Sequence, residues 1–286
     1  MDVVYAIQSI ATPWLDTLMT WITDLGSEEA YIAMVIATYL AIDARAGQKL
    51  GVLLVSSFFV NQYAKGFFDT PRPFDLDPDV VRTERALAGA GGAGFPSGHA
   101  QSSATFWLYA AALARRPWFW LLALLLVAVV SFSRLYLGVH IPADVVGGLA
   151  IGVTLVAIAV VVERSGMQLP AWLLALLAVA VPLGLHLRWP TPESDLLAGA
   201  LSALVLAPML LRHRTDGAWI GRVVVALIGV VLAFTVLTAT SVYLPEEVKR
   251  DPIGGYLRYL ALGLSGLAVA PWIGRALGLV PSRRPR

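Results

Sequence analysis

Along this chain, polar residues separate a series of apolar runs, each close in length to the hydrocarbon thickness of a bilayer. A helix needs about 17–25 apolar residues to cross that thickness. Nine runs of this kind lie at about 28–43, 49–66, 99–114, 117–134, 142–162, 169–187, 195–211, 223–242 and 256–279. They predict an all-α, polytopic membrane bundle, because lipid leaves a spanning backbone no partner but its own helix. Residues 3–23 read differently. Val3, Ile7, Ile10, Trp14, Leu18 and Trp21 recur on one side at helical spacing, with Gln8, Ser9, Thr12, Asp16, Thr17 and Thr20 on the other and Pro13 between. That pattern predicts an amphipathic helix lying in the membrane interface, with a tenth span as the alternative.

Composition narrows the class further. Of the 286 residues, 58% are hydrophobic and 14% charged, with a mean hydropathy of +0.72. An average soluble domain carries about 25% charged residues, so a soluble enzyme, a disordered chain and a coiled coil are excluded. The chain has 0 cysteines, which removes disulfides, thiolate nucleophiles and zinc–thiolate sites. A net charge of +2 and a pI near 9.0 come from Arg-rich loops, and no dense basic run interleaves with aromatics, so a nucleic-acid partner is not expected. The start MDVVYAIQ has no basic n-region and does not read as a cleavable signal.

The loops orient the bundle. One set carries Arg45, Lys49, Arg115, Arg116, Arg164, Arg212, Arg214, Arg222, Arg275, Arg283, Arg284 and Arg286, 12 of the 21 cations, against Asp43, Glu163 and Asp216. The positive-inside rule makes that side cytoplasmic, with the N-terminus outside and the C-terminus inside. The opposite side holds the longest loop, about 65–98, and three polar clusters at span ends.

Those clusters carry the chemistry. Lys65 and Arg72-Pro73 close the second run, Pro96-Ser97-Gly98-His99 opens the third, and Ser133-Arg134 with His140 and Asp144 bridges the fourth and fifth. Three cations with few acids beside them suit an anion, and two guanidinium forks plus an ammonium suit a phosphate. Ser97 and Gly98 precede a helix, where free backbone N–H groups and the dipole favour negative charge. His99 and His140 titrate near neutrality. Asp144, four residues after His140 in a turn that Pro142 starts, can reach Nδ1 of the imidazole. A polarised His can attack phosphorus while a second protonates the leaving oxygen. Taken singly, Lys65 and Arg72 read as snorkelling cations, each His as an interface residue and Pro96-Ser97-Gly98 as loop punctuation. Their joint spacing argues against that. His186 and His213 lack such company and read as ordinary structural histidines. Gly89–Gly94 lacks the lysine of a phosphate-binding loop and reads as a flexible approach to Pro96.

The three clusters together match Lys-x6-Arg-Pro, Pro-Ser-Gly-His and Ser-Arg-x5-His-x3-Asp at all eleven fixed positions. In this the chain resembles the type 2 phosphatidic acid phosphatase superfamily, which includes the lipid phosphate phosphatases and glucose-6-phosphatases and shares its constellation with vanadium haloperoxidases. The resemblance covers about 65–162, and set on the apolar runs it suggests a layout of three parts, the last of them outside the minimal core of the superfamily. These are an N-terminal interfacial helix over 1–27, a phosphatase core over 28–163 and a four-span extension over 164–286. It implies that His140 is the nucleophile that becomes a phosphohistidine, oriented by Asp144. His99 would serve as acid and then base, and Lys65, Arg72, Ser97, Gly98 and Arg134 would hold the phosphate oxygens. No metal and no cofactor is implied. Expected partners are the bilayer and a lipid phosphate monoester or diphosphate, hydrolysed at the extracytoplasmic face of the cell membrane. The last four spans suit packing or homodimer contacts. A sugar phosphate remains the alternative substrate. A lipid transporter or flippase is the alternative class, although charges at span ends and the lack of self-similar halves speak against it.

Overall fold

The computed structural model describes residues 1–191 and 193–281; Arg283, Arg284 and Arg286, counted above among the cytoplasmic cations, lie outside the described residues. Among the described residues all regular structure is helical. In chain order the helices are α1 Asp2–Gln8, α2 Pro13–Asp24, α3 Glu28–Ala37, α4 Ala44–Phe68, α5 Pro73–Leu76, α6 Glu84–Ala88, α7 Gly98–Ala114 and α8 Pro117–Tyr136. They continue as α9 Pro142–Ser165, α10 Ala171–Arg188, α11 Ser194–Leu210, α12 Trp219–Tyr243, α13 Glu246–Arg250, α14 Pro252–Leu264 and α15 Ala270–Ala276. Single π turns, Thr38–Ile42 and Ser265–Val269, follow α3 and link α14 to α15.

Five helices are long and apolar enough to cross a membrane: α8, α9, α10, α12 and the continuous Pro252–Ala276. A sixth is added if Pro13–Asp24 and Glu28–Ile42, bent by 49°, count as one span. The nine predicted runs are thus helical over most of their length, but four of them fall short by length or composition, and of these 28–43 passes only when joined to α2. The physical reason is visible in their sequences. Helix α4 carries Ser56, Ser57, Asn61, Gln62 and Lys65, and α7, 17 residues long, carries Gln101, Ser102, Ser103 and Thr105. Helix α11 also has only 17 residues.

The described chain forms two compact units, Met1–Ile32 with Ser56–Met167, and Ala33–Val55 with Gln168 onward. In the first unit, α7 packs against both α8 and α9. Close approach to α9 is possible because Gly148 and Gly152 face the α7 backbone. A Cβ at Gly148 would stand 2.4 Å from the Ser97 carbonyl oxygen, and one at Gly152 2.7 Å from that of Gln101. Small residues spaced four apart allow membrane helices to touch backbone to backbone. The polar residues of α4 and α7 satisfy one another. Asn61 Nδ2 donates to Gln101 Oε1 at 2.9 Å, Gln101 Nε2 donates to the Ser57 carbonyl at 2.7 Å, and the Ser57 and Thr105 hydroxyls lie 3.1 Å apart. Buried amides and hydroxyls are tolerated in an apolar setting when paired in this way.

The N-terminal segment departs from the single interfacial helix expected of it. Pro13 occupies the first turn of a new helix, where its missing N–H costs nothing, so the chain breaks into α1 and α2. Its two stripes are also inverted relative to a soluble amphipathic helix. Val3, Ile10, Trp14, Leu18 and Trp21 are exposed, as lipid-facing groups are. Gln8, Asp16 and Thr20 of the polar stripe turn inward, while Ser9, Thr12 and Thr17 stay exposed. Gln8 Nε2 donates to the carbonyls of Val80 and Tyr136, Asp16 pairs with Arg82 at 2.9 Å and accepts from the Tyr136 hydroxyl at 2.6 Å, and Thr23 meets Arg134.

In the second unit α11 packs against α10 and α14, and α12 against α15 and both π turns. His186 is fully engaged there, with Ser194 Oγ at 2.8 Å and the Pro252 carbonyl at 3.1 Å.

Candidate active site

The residues singled out from the sequence belong to the first unit, and their local structure follows from three helix ends. Pro142 starts α9, which puts the Asp144 carboxylate over the free N-terminal turn; its Oδ2 accepts the Ile141 N–H at 3.0 Å. The same oxygen lies 3.2 Å from His140 Nδ1. On the far side of the ring, Nε2 is 3.3 Å from Arg72 Nη1. A guanidinium has no acceptor, so Arg72 donates and Nε2 offers its lone pair. The ring proton therefore sits on Nδ1 and is directed at Asp144. His140 is 1% exposed and Asp144 3%.

Arg72 is held by the loop before Pro96. Its Nε donates to the Gly92 carbonyl at 2.8 Å, Nη2 to that of Gly91, and Nη1 to that of Val139 at 3.2 Å. Lys65 Nζ donates to the next carbonyl, Ala93. The Gly-rich stretch is thus a cradle of carbonyl oxygens for two cations, a role the sequence reading missed because backbone acceptors leave no side-chain signature. Carbonyl dipoles orient these cations without cancelling their charge.

Arg134, 1% exposed, leaves the end of α8 and donates from Nη1 to Thr23 Oγ1 at 2.7 Å. Its Nε, like the Ser97 hydroxyl, is buried without a partner among the described residues. Ser97 caps α7, and its own N–H is tied to the Asp144 carbonyl at 2.9 Å. Gly98 comes so close to Asn61 that a Cβ would lie 3.2 Å from Oδ1. The imidazole of His99, half-buried in the first turn of α7, has no hydrogen-bond partner among the described residues. Arg134, Arg72 and Lys65 act electrostatically on both imidazoles.

The charge state follows from these surroundings. Burial, then the fields of Arg134, Arg72 and Lys65, hold His140 well below its ordinary value, so the imidazole is neutral at pH 7. Burial pushes Arg72 down to about 10, with Asp144 and Asp75 opposing, and it stays charged. Two acids of the long loop are spent elsewhere. Asp75 accepts from the Arg72 N–H at 2.7 Å, and Asp77 accepts from the Tyr5 hydroxyl. Among the described residues no three His, Asp or Glu side chains gather as a metal cage. Beside Arg72 and Asp144 a pocket of about 510 Å³ opens, walled by Phe68, Leu76, Phe95 and Ile141.

A neutral, carboxylate-oriented imidazole beside cations, carried on a membrane helix bundle, is an arrangement suited to attack on a phosphoryl-type centre. Comparison with known proteins agrees with this class. Residues 46–166 match the PAP2 superfamily, and residues 195–284 match the PAP2 superfamily phosphatase transmembrane extension. A putative undecaprenyl-diphosphatase of Escherichia coli is 31% identical over 144 residues, covering 50% of this chain and 70% of that protein. Mouse sphingosine-1-phosphate phosphatase 2 is 32% identical over 156 residues, covering 52% of this chain but only 40% of its own length. The crystal structure of a transmembrane PAP2 type phosphatidylglycerolphosphate phosphatase from Bacillus subtilis shares the fold. It has a TM-score of 0.50 and 22% identity, over 59% of this chain and 86% of that one. The chain belongs to the PAP2 superfamily and is a multi-pass membrane protein.

Proposed function

We propose that the protein is a membrane phosphatase that hydrolyses a lipid phosphate monoester or diphosphate through a phosphohistidine on His140. The observation that carries this reading is His140 itself, with Nδ1 turned to Asp144 and the Nε2 lone pair turned to Arg72. The phosphate of the substrate displaces the Arg72 contact and takes that guanidinium for its own oxygens. Nε2 then attacks phosphorus, the P–O bond to the lipid breaks, and the departing oxygen takes a proton from His99. Asp144 stabilises the positive charge that develops on the ring. In the second half His99 removes a proton from water, the water oxygen attacks phosphorus, and the P–N bond electrons return to Nε2. Arg134, Lys65, the Ser97 hydroxyl and the N–H groups at Gly98 hold the equatorial oxygens throughout. With three cations around the phosphate, charge neutralisation is supplied by side chains, and the reaction we propose uses no metal.

A lipid substrate is supported by the apolar wall of Phe68, Leu76, Phe95 and Ile141 beside Arg72, which suits a hydrocarbon chain. The named relatives, which include a diphosphatase and a long-chain-base phosphatase, point the same way. In this reading α3 with its π turn, α4, α7 and α11 cross the bilayer alongside the five longer spans, giving nine. The loops opposite the Arg-rich set, and the site with them, face the extracytoplasmic side.

The test is phosphate release by the solubilised protein in EDTA. The panel holds phosphatidic acid, phosphatidylglycerol phosphate, undecaprenyl diphosphate, sphingosine-1-phosphate and glucose-6-phosphate, each run beside His140→Ala. Release from a lipid that vanishes in the variant is expected. Release from glucose-6-phosphate alone would overturn the lipid assignment, and release that needs added metal or survives in the variant would overturn the mechanism.

A further inference from the structure

The second unit holds a polar cavity of about 880 Å³, and none of its residues belongs to the site described above. Its walls include Tyr39, Arg45, Arg212, His213 and Arg214. The π turn Thr38–Ile42 shapes one side. The helix ends there, so the Leu40 and Ala41 carbonyls have no helical donor; they accept His213 Nε2–H at 2.9 Å and Arg222 Nη1 at 2.9 Å.

Two features point to a ligand. The first is charge without internal use. Arg214 is forked to Asp216, and Asp43 caps α4 by accepting the Arg45 and Ala46 N–H groups at 2.8 and 2.9 Å. The Arg45 and Arg212 guanidiniums are exposed and have no partner among the described residues. The second is a pair of buried atoms in the cavity wall. Tyr39 is 1% exposed and His213 8%, yet the Tyr39 hydroxyl and His213 Nδ1 have no partner among the described residues. Because Nε2 carries the proton given to Leu40, Nδ1 of the neutral ring is an acceptor, and it asks for a donor. Buried polar atoms left unpaired are destabilising, so a ligand that pairs them is favoured. An anion alone would satisfy the arginines and the tyrosine but not Nδ1.

We propose that this cavity binds a phosphate ester that carries a free hydroxyl, with Arg45 and Arg212 on the phosphate and Tyr39 and His213 on the hydroxylated part. A phosphatidylglycerol headgroup and soluble glycerol phosphate both have this chemistry. The cavity lies between the Arg-rich loops, where an anionic leaflet would present such headgroups.

The experiment uses the full chain in a His140→Ala background, so that no ester is consumed, and reads thermal unfolding in nanodiscs. One arm compares phosphatidylglycerol with phosphatidylcholine nanodiscs. The other titrates glycerol phosphate into phosphatidylcholine nanodiscs. Stabilisation in the first arm identifies a lipid source and in the second a soluble one. In either case Arg45→Gln with Arg212→Gln weakens the half-effect concentration by about tenfold or more, and Tyr39→Phe by about threefold. With His140 intact, neither change alters phosphate release. No stabilisation in either arm would overturn the proposal. So would stabilisation that both variants retain, or that is lost with the arginines but untouched by Tyr39→Phe, which would mark surface charge rather than a built site.

Discussion

Replacing Asp144 by Asn isolates one part of the mechanism, the negative charge behind the nucleophile. Asp144 Oδ2 accepts both the Ile141 N–H at 3.0 Å and the His140 Nδ1 proton at 3.2 Å. An asparagine oxygen in that place keeps both bonds, so the helix start and the ring orientation survive and only the charge is lost. Neutral His140 interacts weakly with that charge, whereas a phosphorylated, cationic ring interacts strongly. Two unit charges about 4 Å apart at an effective dielectric of about 20 attract by about 4 kcal/mol. Part of this is offset by the nearby guanidiniums, which leaves about 2–4 kcal/mol, or about 30- to 1,000-fold in kcat. The assay is steady-state phosphate release from the best lipid of the panel, with size-exclusion behaviour as the control for folding. A well-folded variant within about threefold of the wild-type kcat would refute the reasoning, because the carboxylate would then be serving only as a helix cap.

Other expectations follow from the same contacts. Burial and the surrounding cations lower the His140 value, so its proton leaves readily and the neutral nucleophile persists in mild acid. The acid limb of kcat/KM should therefore lie below pH 6.5, the ordinary imidazole value. The unfolded imidazole binds its proton first as pH drops, so this residue also makes stability fall with acid, measurable by thermal unfolding across pH. Gly148→Val would drive a side chain into the Ser97 carbonyl 2.4 Å away and should cost about 1–3 kcal/mol of stability with loss of turnover. Gly91→Ala, with open space at that point, should be indistinguishable from wild type in both. Thr23→Val keeps the shape but removes the acceptor of Arg134, and should lower kcat/KM about tenfold, with the folded protein recovered in normal yield.

Much of this was legible in the chain. Apolar runs located the long helices, since the middle turns of α8, α9, α10 and α12 are mostly apolar and their charged residues lie at the ends. Pro142 and the four-residue spacing from His140 to Asp144 announced a helix start with a carboxylate over the ring. What was not legible has two physical sources. First, backbone groups carry no sequence signal. The carbonyls of Gly91, Gly92, Ala93 and Val139 that hold Arg72 and Lys65 could not be read from a stretch that looks merely flexible. Second, polar residues in a membrane protein point inward as readily as outward. Gln8, Asp16 and Thr20 looked like the watery face of an interfacial helix, yet they hydrogen-bond to the protein and leave the tryptophans exposed. The same ambiguity hid Asn61 and Gln101, which support the Ser97–Gly98 turn from within a predicted span. Pro13 was visible as a break, but a helix pattern continuing on both sides masked its role as a start.

The most direct test of the central claim is to trap the covalent intermediate. The wild-type protein, mixed briefly with a lipid substrate labelled in its phosphate and quenched in alkali, should carry label that survives base and is released by acid. Peptide mapping should place it on His140, and His140→Ala should take up none. Turnover without label at His140, or label and turnover that persist in His140→Ala, would contradict the account.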